Sequence, residues 1–219
     1  MRERHSNDAY YTHAGLVKAL LDNVPISGDV CEPCAGEGHI AYQLSEIDHL
    51  ICVHSFDTDE SLDYPVNLGF DATSAWQWSH YRKDYFGSDS GLFDWTVTNP
   101  PYRQPDCQKI IENAWEYSRV GIAMLLRLTY LEPCGLSAKD VVNWDRRCPN
   151  RQLTMDELEG RAPFLKSAPL SHLLVFNPRP QFRTDTNGTD NTTVAWFVWQ
   201  KDWQDGTQMQ FITDWKTNV

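Results

Sequence analysis

The chain has 219 residues, 41% of them hydrophobic and nine of them tryptophan, which is enough to bury a proper core as one domain. A formal net charge of −11 at first argues against a nucleic-acid binder, although the distribution of charge is more useful than the sum. No apolar run approaches the ~18 residues of a membrane span, and Met1-Arg2-Glu3-Arg4-His5 leads into no signal-peptide core, so a cytosolic protein with no membrane partner is expected.

The charge is unevenly spread. Residues 1–100 hold five Lys or Arg against sixteen Asp or Glu, residues 101–183 hold twelve against nine, and residues 184–219 hold two against five. Nine of the twelve arginines fall in the middle block. That block is where a polyanion would dock, although so small an excess is also what an ordinary solvated surface carries. The six cysteines, at 31, 34, 52, 107, 134 and 148, follow no disulfide spacing. Cys31 and Cys34 form one Cys-x-x-Cys pair, but no second pair matches it and it overlaps a glycine turn, so no metal site is expected.

In chain order, residues 1–8 read as a polar tail, and Asp8 to Asn23 as a helix through Leu16, Val17, Ala19, Leu20 and Leu21, capped by Asp8 or Thr12. Gly28 to Glu32 reads as a short buried strand. After it come the turn Pro33-Cys34-Ala35-Gly36-Glu37-Gly38 and a helix through Ile40, Ala41, Leu44 and Ile47. A strand, a glycine turn and a helix start together let a ligand approach the backbone closely. A second strand, Leu50 to Phe56, ends in Asp57, about 25 positions after Glu32. An acid near that spacing meets ribose hydroxyls in nucleotide-binding sheets, so a nucleoside-containing ligand fits. A third strand is expected at Pro65 to Phe70, with Asp71 at its end; the polar aromatic stretch Trp76 to Phe86 has no clear period.

The fourth strand, Phe93 to Thr98, runs into Asn99-Pro100-Pro101-Tyr102. Two prolines cannot continue a central strand, because each lacks the ladder N–H and fixes its own φ. Asn99 and Pro100, each preceding a proline, are held extended. The result is a stiff platform with an amide side chain, carbonyls without ladder partners and an aromatic ring. A helix across Ile110, Ile111, Ala114, Trp115 and Tyr117 follows, then a buried strand from Gly121 to Leu128. Residues 130–170 are Arg-rich and interrupted by proline, with short helical pieces at 138–144 and 155–158, and are expected to form an insertion. Ser171 to Phe176 and Thr193 to Gln200 read as an antiparallel hairpin joined by a turn-rich segment. Strands alternating with helices and closing in a hairpin predict one α/β domain over 1–219, a doubly wound sheet with one reversed strand.

These pieces resemble the class I S-adenosylmethionine-dependent methyltransferases, and within them the gamma-type amino methyltransferases that modify adenine in DNA, including small phage-encoded members. The similarity runs through nearly the whole chain. Tyr10-Tyr11-Thr12 resembles the family's N-terminal motif, with His13 standing where proline is usual. Glu32-Pro33-Cys34-Ala35-Gly36-Glu37-Gly38 resembles the cofactor loop, and Asn99-Pro100-Pro101-Tyr102 the catalytic motif. Arg179-Pro180-Gln181-Phe182 and Ala195-Trp196-Phe197-Val198-Trp199 resemble the terminal part of the phage members. The resemblance implies a three-layer Rossmann-like sheet, mostly parallel with a C-terminal antiparallel hairpin strand. It also implies S-adenosylmethionine bound by Tyr11, Thr12, Glu32, Pro33, Cys34, Ala35, Gly36, Gly38, Asp57 at the ribose and Asp71 at the adenine, and catalysis by Asn99, Pro100, Pro101 and Tyr102 on a flipped base.

For phosphate contact the candidates are Arg103, Arg127, Arg146, Arg147, Arg151, Arg161, Arg179 and Arg183. Structural roles stand beside these: Asp57 and Asp71 as turn caps, Glu32 as a buried acid satisfied by backbone. The same Asn-Pro-Pro-Tyr turn occurs in methyltransferases acting on RNA adenine and on protein glutamine, so RNA or protein remains an alternative to DNA. A decoy that binds DNA without catalysis is a further alternative, against which the intact motif argues.

Overall fold

Among the described residues of the computed structural model, helices and strands largely alternate as far as residue 167, after which only three strands remain. The described residues are 12–47, 51–62, 67–86, 93–132, 135, 158–180, 182 and 192–216. The strands are β1 (Gly28–Glu32), β2 (Ile51–Asp57), β3 (Asn67–Leu68), β4 (Phe93–Thr98), β5 (Ser118–Arg127), β6 (Leu170–Phe176), β7 (Val194–Gln200) and β8 (Gln208–Ile212). The helices are α1 (Ala14–Asn23), α2 (His39–Ile47), α3 (Ala75–Phe86), α4 (Asp106–Tyr117) and α5 (Ala162–Ser167), with a 3-10 turn at Leu128–Leu131.

All eight strands form one sheet in the order β3-β2-β1-β4-β5-β7-β6-β8. Neighbours from β3 to β5 are parallel, β7 is antiparallel to both β5 and β6, and β8 runs parallel to β6. The expected hairpin with one reversed strand is therefore β6–β7. Strand β8 has no counterpart in the sequence-based expectation: Gln208, Met209, Gln210 and Phe211 alternate polar with apolar but are all exposed, so the alternation in this short edge strand corresponds to no buried face. The reading also left Trp76 to Phe86 unassigned, and it is α3. The expected helical pieces at 138–144 and 155–158, and most of the expected insertion, lie outside the described residues.

Two apolar layers cover the sheet. On one face α1 and α2 bring Leu16, Leu20, Ile40 and Leu44 against Val30, Trp95, Val97 and Trp196. On the other, Trp78 of α3, Ile110 and Ile111 of α4 and Phe164 of α5 meet Phe56, Ile122, Phe197 and Trp199. Each large side chain so buried contributes roughly 1.5–3 kcal/mol. Trp196, although wholly buried, donates its indole N–H to the Leu16 carbonyl at 2.8 Å, which ties α1 to β7. Gly121 is required where it stands, since a Cβ there would lie 2.8 Å from the Trp95 ring and 2.4 Å from the Trp199 carbonyl oxygen.

Helix α1 begins six residues later than the sequence suggests. Its cap is His13, not Asp8 or Thr12: the Nδ1 atom accepts the Gly15 N–H at 3.0 Å. This requires an unprotonated Nδ1. Burial, with Lys216 adding to it, lowers the His13 pKa. A lowered folded-state value makes this stabilisation complete above the ordinary histidine range and lost as pH falls through the folded value. His13→Ala should cost ~1 kcal/mol at neutral pH. His13→Asn, a capping residue that does not titrate, should keep most of that stability and shrink the acid-side loss, as read by melting temperature against pH.

Candidate active site

The carboxyl ends of the parallel strands share one edge of the sheet, the edge at which ligands bind in open α/β proteins. Because β2, β1 and β4 are consecutive neighbours, the ends bearing Asp57, Glu32 and Asn99 lie side by side. The Phe70 N–H bonds the Asp57 carbonyl at 3.0 Å, which brings Asp71 to the same edge.

The loop after β1 is held from β2. Ala35 donates its N–H to the Phe56 carbonyl at 2.9 Å, and Gly36 donates its own to Asp57 Oδ2 at 2.8 Å. Asp57 Oδ1 takes the Asp59 N–H at 2.9 Å. The Asp57 carboxylate therefore fastens the glycine turn to the strand end, while each oxygen keeps a lone pair for a further donor. Gly36 has φ +52°, and a Cβ built on it would meet nothing within 4 Å, so the turn borders open space. Pro33 and Gly38 are buried beside it. The thiols of Cys31 and Cys34 are pushed far up by burial and by neighbouring acids, so both stay protonated and unreactive.

Glu32 is 1% exposed, and its Oε2 has no hydrogen-bond partner among the described residues. Burial raises its pKa well above the usual carboxylate value; an N–H from Ala41 in the first turn of α2 opposes this, and Asp57 reinforces it. A buried acceptor with nothing to accept is costly unless a donor arrives. Asp71 is more local in its bonds. Its Oδ1 takes both the N–H and the hydroxyl of Thr73, at 2.9 and 2.7 Å, a turn preceding α3.

Asn99 sits just past the ladder of β4. Its Nδ2 donates to the hydroxyl of Thr12 at 3.2 Å, and its Oδ1 accepts the Tyr102 hydroxyl at 2.8 Å. Thr12 is 3% exposed, so this anchor is dry. Pro100 is buried and Pro101 exposed. The Arg127 guanidinium, at the end of β5, lies 5.0 Å over the Tyr102 ring. Thr12, expected at the cofactor, thus holds the catalytic-motif amide, a contact that sequence reasoning missed because 87 positions separate the two. Thr98 was also missed: its hydroxyl is buried at the end of β4 beside the Cys34 thiol.

Of the arginines, Arg103, Arg127 and Arg179 are exposed after the carboxyl ends of β4, β5 and β6. Arg161 is half-buried with its guanidinium 4.6 Å over Tyr130, a packing position. Tyr11, Arg146, Arg147, Arg151 and Arg183 lie outside the described residues.

No protein-family model matches the chain, and no curated protein matches its sequence. Solved structures do match. A predicted O-methyltransferase from Agrobacterium tumefaciens is 14% identical, with 92% of this chain covering 86% of that one at a TM-score of 0.51. The TrmN structure from Thermus thermophilus is 17% identical, with 85% of this chain on 48% of that one and a TM-score of 0.45. The plantazolicin methyltransferase BpumL, solved with SAH, is 11% identical, with coverage of 85% and 81% and a TM-score of 0.42. The fold is the three-layer, Rossmann-like methyltransferase fold.

The raised Glu32 carboxyl has a consequence for stability. A group whose folded-state pKa exceeds its unfolded value stabilises fully at low pH, and that contribution is lost as pH rises through the folded value. Glu32→Gln, uncharged and of equal shape, should therefore melt higher than the wild type at neutral and alkaline pH. A melting temperature equal or lower throughout would show the carboxylate to be already satisfied.

Proposed function

We propose that the chain is a methyltransferase that uses S-adenosylmethionine and acts on the exocyclic amino group of an adenine flipped out of DNA. The observation that carries this reading is the fixed Asn99 amide. With Nδ2 committed to buried Thr12, Oδ1 is presented as an acceptor beside half-buried Tyr102. Glu32, the Gly36 turn and Asp57 fit the cofactor: an orphaned buried carboxyl oxygen suits the ligand's cationic amino-acid end, an open glycine turn admits close approach, and Asp57 has lone pairs for ribose hydroxyls. When bound, the cofactor supplies an electrophilic sulfonium methyl group.

An exocyclic aromatic amine is a weak nucleophile because its lone pair is delocalised into the ring. Asn99 Oδ1 and the Pro100 carbonyl, beyond the end of the β4 ladder, each accept one of its N–H bonds. The nitrogen is thereby drawn toward tetrahedral geometry with its lone pair aimed for an in-line displacement. The extra proton leaves only after the positively charged amine has formed, so no strong base is needed beforehand. A duplex base cannot reach such a site without leaving the stack, and Tyr102 offers its ring to the extruded base. The sequence resemblance supports DNA, as do the exposed Arg103, Arg127 and Arg179 on the same edge.

Asn99→Ala should abolish methyl transfer while cofactor affinity, read by calorimetry, stays within a few-fold of wild type. Tyr102→Ala should weaken target binding by ~1–3 kcal/mol, the loss of one stacked base, and Tyr102→Phe should keep it. Replacing Arg103 and Arg179 by Gln should flatten the slope of log K against log salt by about 2. Labelled cofactor offered with DNA, RNA and protein in parallel tests the substrate: label in RNA or protein with DNA unmarked overturns the assignment.

A further inference from the structure

The opposite, amino-terminal edge of the sheet carries a second cluster of chemistry-bearing side chains. Asp29 of β1 is in register with Cys52 of β2, so the two share a face, and His54 lies two residues on from Cys52, again on that face. His54 Nε2 stands 3.2 Å from Asp29 Oδ1 and 3.7 Å from Cys52 Sγ, and the three ligand atoms all lie within 4.8 Å of one another. The geometry points to a binding site for a divalent, borderline-soft transition cation of the zinc class, held by Cys52 Sγ, His54 Nε2 and Asp29 Oδ1.

Metal–ligand bonds of roughly 2.0–2.3 Å in a tetrahedron place ligand atoms about 3.3–3.6 Å apart. The two distances around His54 Nε2 straddle that interval. A single imidazole nitrogen faces both a carboxylate oxygen and a thiol sulfur. Its one N–H can serve only one of them at a time, whereas a cation among the three serves all. The donor set excludes magnesium and calcium, which take oxygen ligands, and suits zinc, whose sites combine sulfur, imidazole nitrogen and carboxylate oxygen. Thiolate and carboxylate together balance the charge of a divalent ion. Cys52 is exposed, which leaves a fourth position to water.

The ligands are supported from behind. Asp94 sits where the β4–β5 register shifts between Phe93 and Trp95, and its Oδ2 accepts the Asp29 backbone N–H at 3.0 Å, where a regular ladder would use a carbonyl. Its Oδ1 pairs with Arg119, so Asp94 positions Asp29 without adding an unpaired negative charge. The His54 ring packs against Phe93, centroids 5.6 Å apart. Outer contacts of this kind set ligand direction at metal sites. A cation here joins the starts of β1 and β2, remote from the Asn99 edge, and is structural, independent of the proposed methyl transfer.

The full chain, stripped with chelator and titrated with cobalt(II), should bind one equivalent and develop the thiolate-to-cobalt charge-transfer band of the near ultraviolet. Cys52→Ser and His54→Ala should lose that band, and Asp29→Asn should weaken binding at least tenfold. Zinc should raise the melting temperature of the wild type and not of Cys52→Ser. In the unmutated chain, zinc should protect Cys52 from alkylation, as located by peptide mass spectrometry, which keeps the test independent of whether a variant folds. Absence of the band, a band unchanged in Cys52→Ser, or Cys52 alkylated equally with and without zinc would each overturn the site.

Discussion

Strand β4 has to stop where it does, and the site depends on that stop. Pro100 and Pro101 have no N–H to offer β1 or β5, so the ladder ends at Thr98 and the chain leaves the sheet in an extended conformation. Asn99 is therefore the first residue past the β4 ladder. It finds Thr12 on one side and Tyr102 on the other. A regular strand in this position would bury the amide in a ladder-constrained pleat, and a flexible loop would leave it free to rotate. Two prolines exclude both outcomes. The flanking strand ends then have fixed places: β1 sets Glu32 and the glycine turn on one side, β5 sets Arg127 on the other.

Much of this architecture was legible in the residue order because period and punctuation agree locally. Leu125 lies in an unbroken apolar run of the length a buried parallel strand requires, while Val30 and Val97 lie in shorter runs rich in apolar and β-branched residues, and both of these run into turn-forming residues. Strand β3 shrank to Asn67–Leu68 because an edge strand has a partner on one side only and little burial to enforce it. Helix α3 escaped notice because its exposed and buried aromatics do not fall on one stripe: Trp76 is 65% exposed while Trp78 is 2% exposed, two positions apart. Strand β8 escaped because its register is set by backbone bonds to β6 with few side-chain contacts of its own.

Contacts between distant segments are a different matter, since no local pattern encodes them. Thr12 and Asn99 meet only after α1 has packed on the sheet through Leu16, Leu20 and Trp196. The polar bond at the site is thus a product of apolar burial some distance away. His13 shows the same dependence. In the sequence it is a departure from the proline that the resemblance leads one to expect; in the fold it caps α1 and lies edge-on to Trp215, 5.3 Å away, so it supplies by hydrogen bonding the helix start that a proline supplies by fixing φ. Asp57 and Asp71 divide the roles open to them. Asp57 binds the glycine turn across two strands, which makes the turn's shape depend on a β2 residue, whereas Asp71 closes its own turn.

For the proposed amine substrate, an amide at position 99 suits the site better than an acid would. Burial, with Asp57 reinforcing it, already raises the Glu32 pKa, and a third carboxyl on the adjacent strand end would add like charge to the pair. Asparagine accepts with the same geometry and no charge. In the resting structure that acceptor is occupied by the Tyr102 hydroxyl, so an arriving N–H exchanges one donor for another. Such an exchange is close to neutral, because a single hydrogen bond nets only ~0.5–1.5 kcal/mol. On the proposed function the driving force comes from the ring that carries the hydroxyl: a base stacked on Tyr102 would gain ~1–3 kcal/mol. Arg127 already covers the ring at cation–π distance, an interaction of ~0.5–1 kcal/mol at an exposed site. A base taking that face, as proposed, would displace it and still gain, so the resting contacts of Tyr102 would keep Asn99 ordered without outcompeting such a substrate.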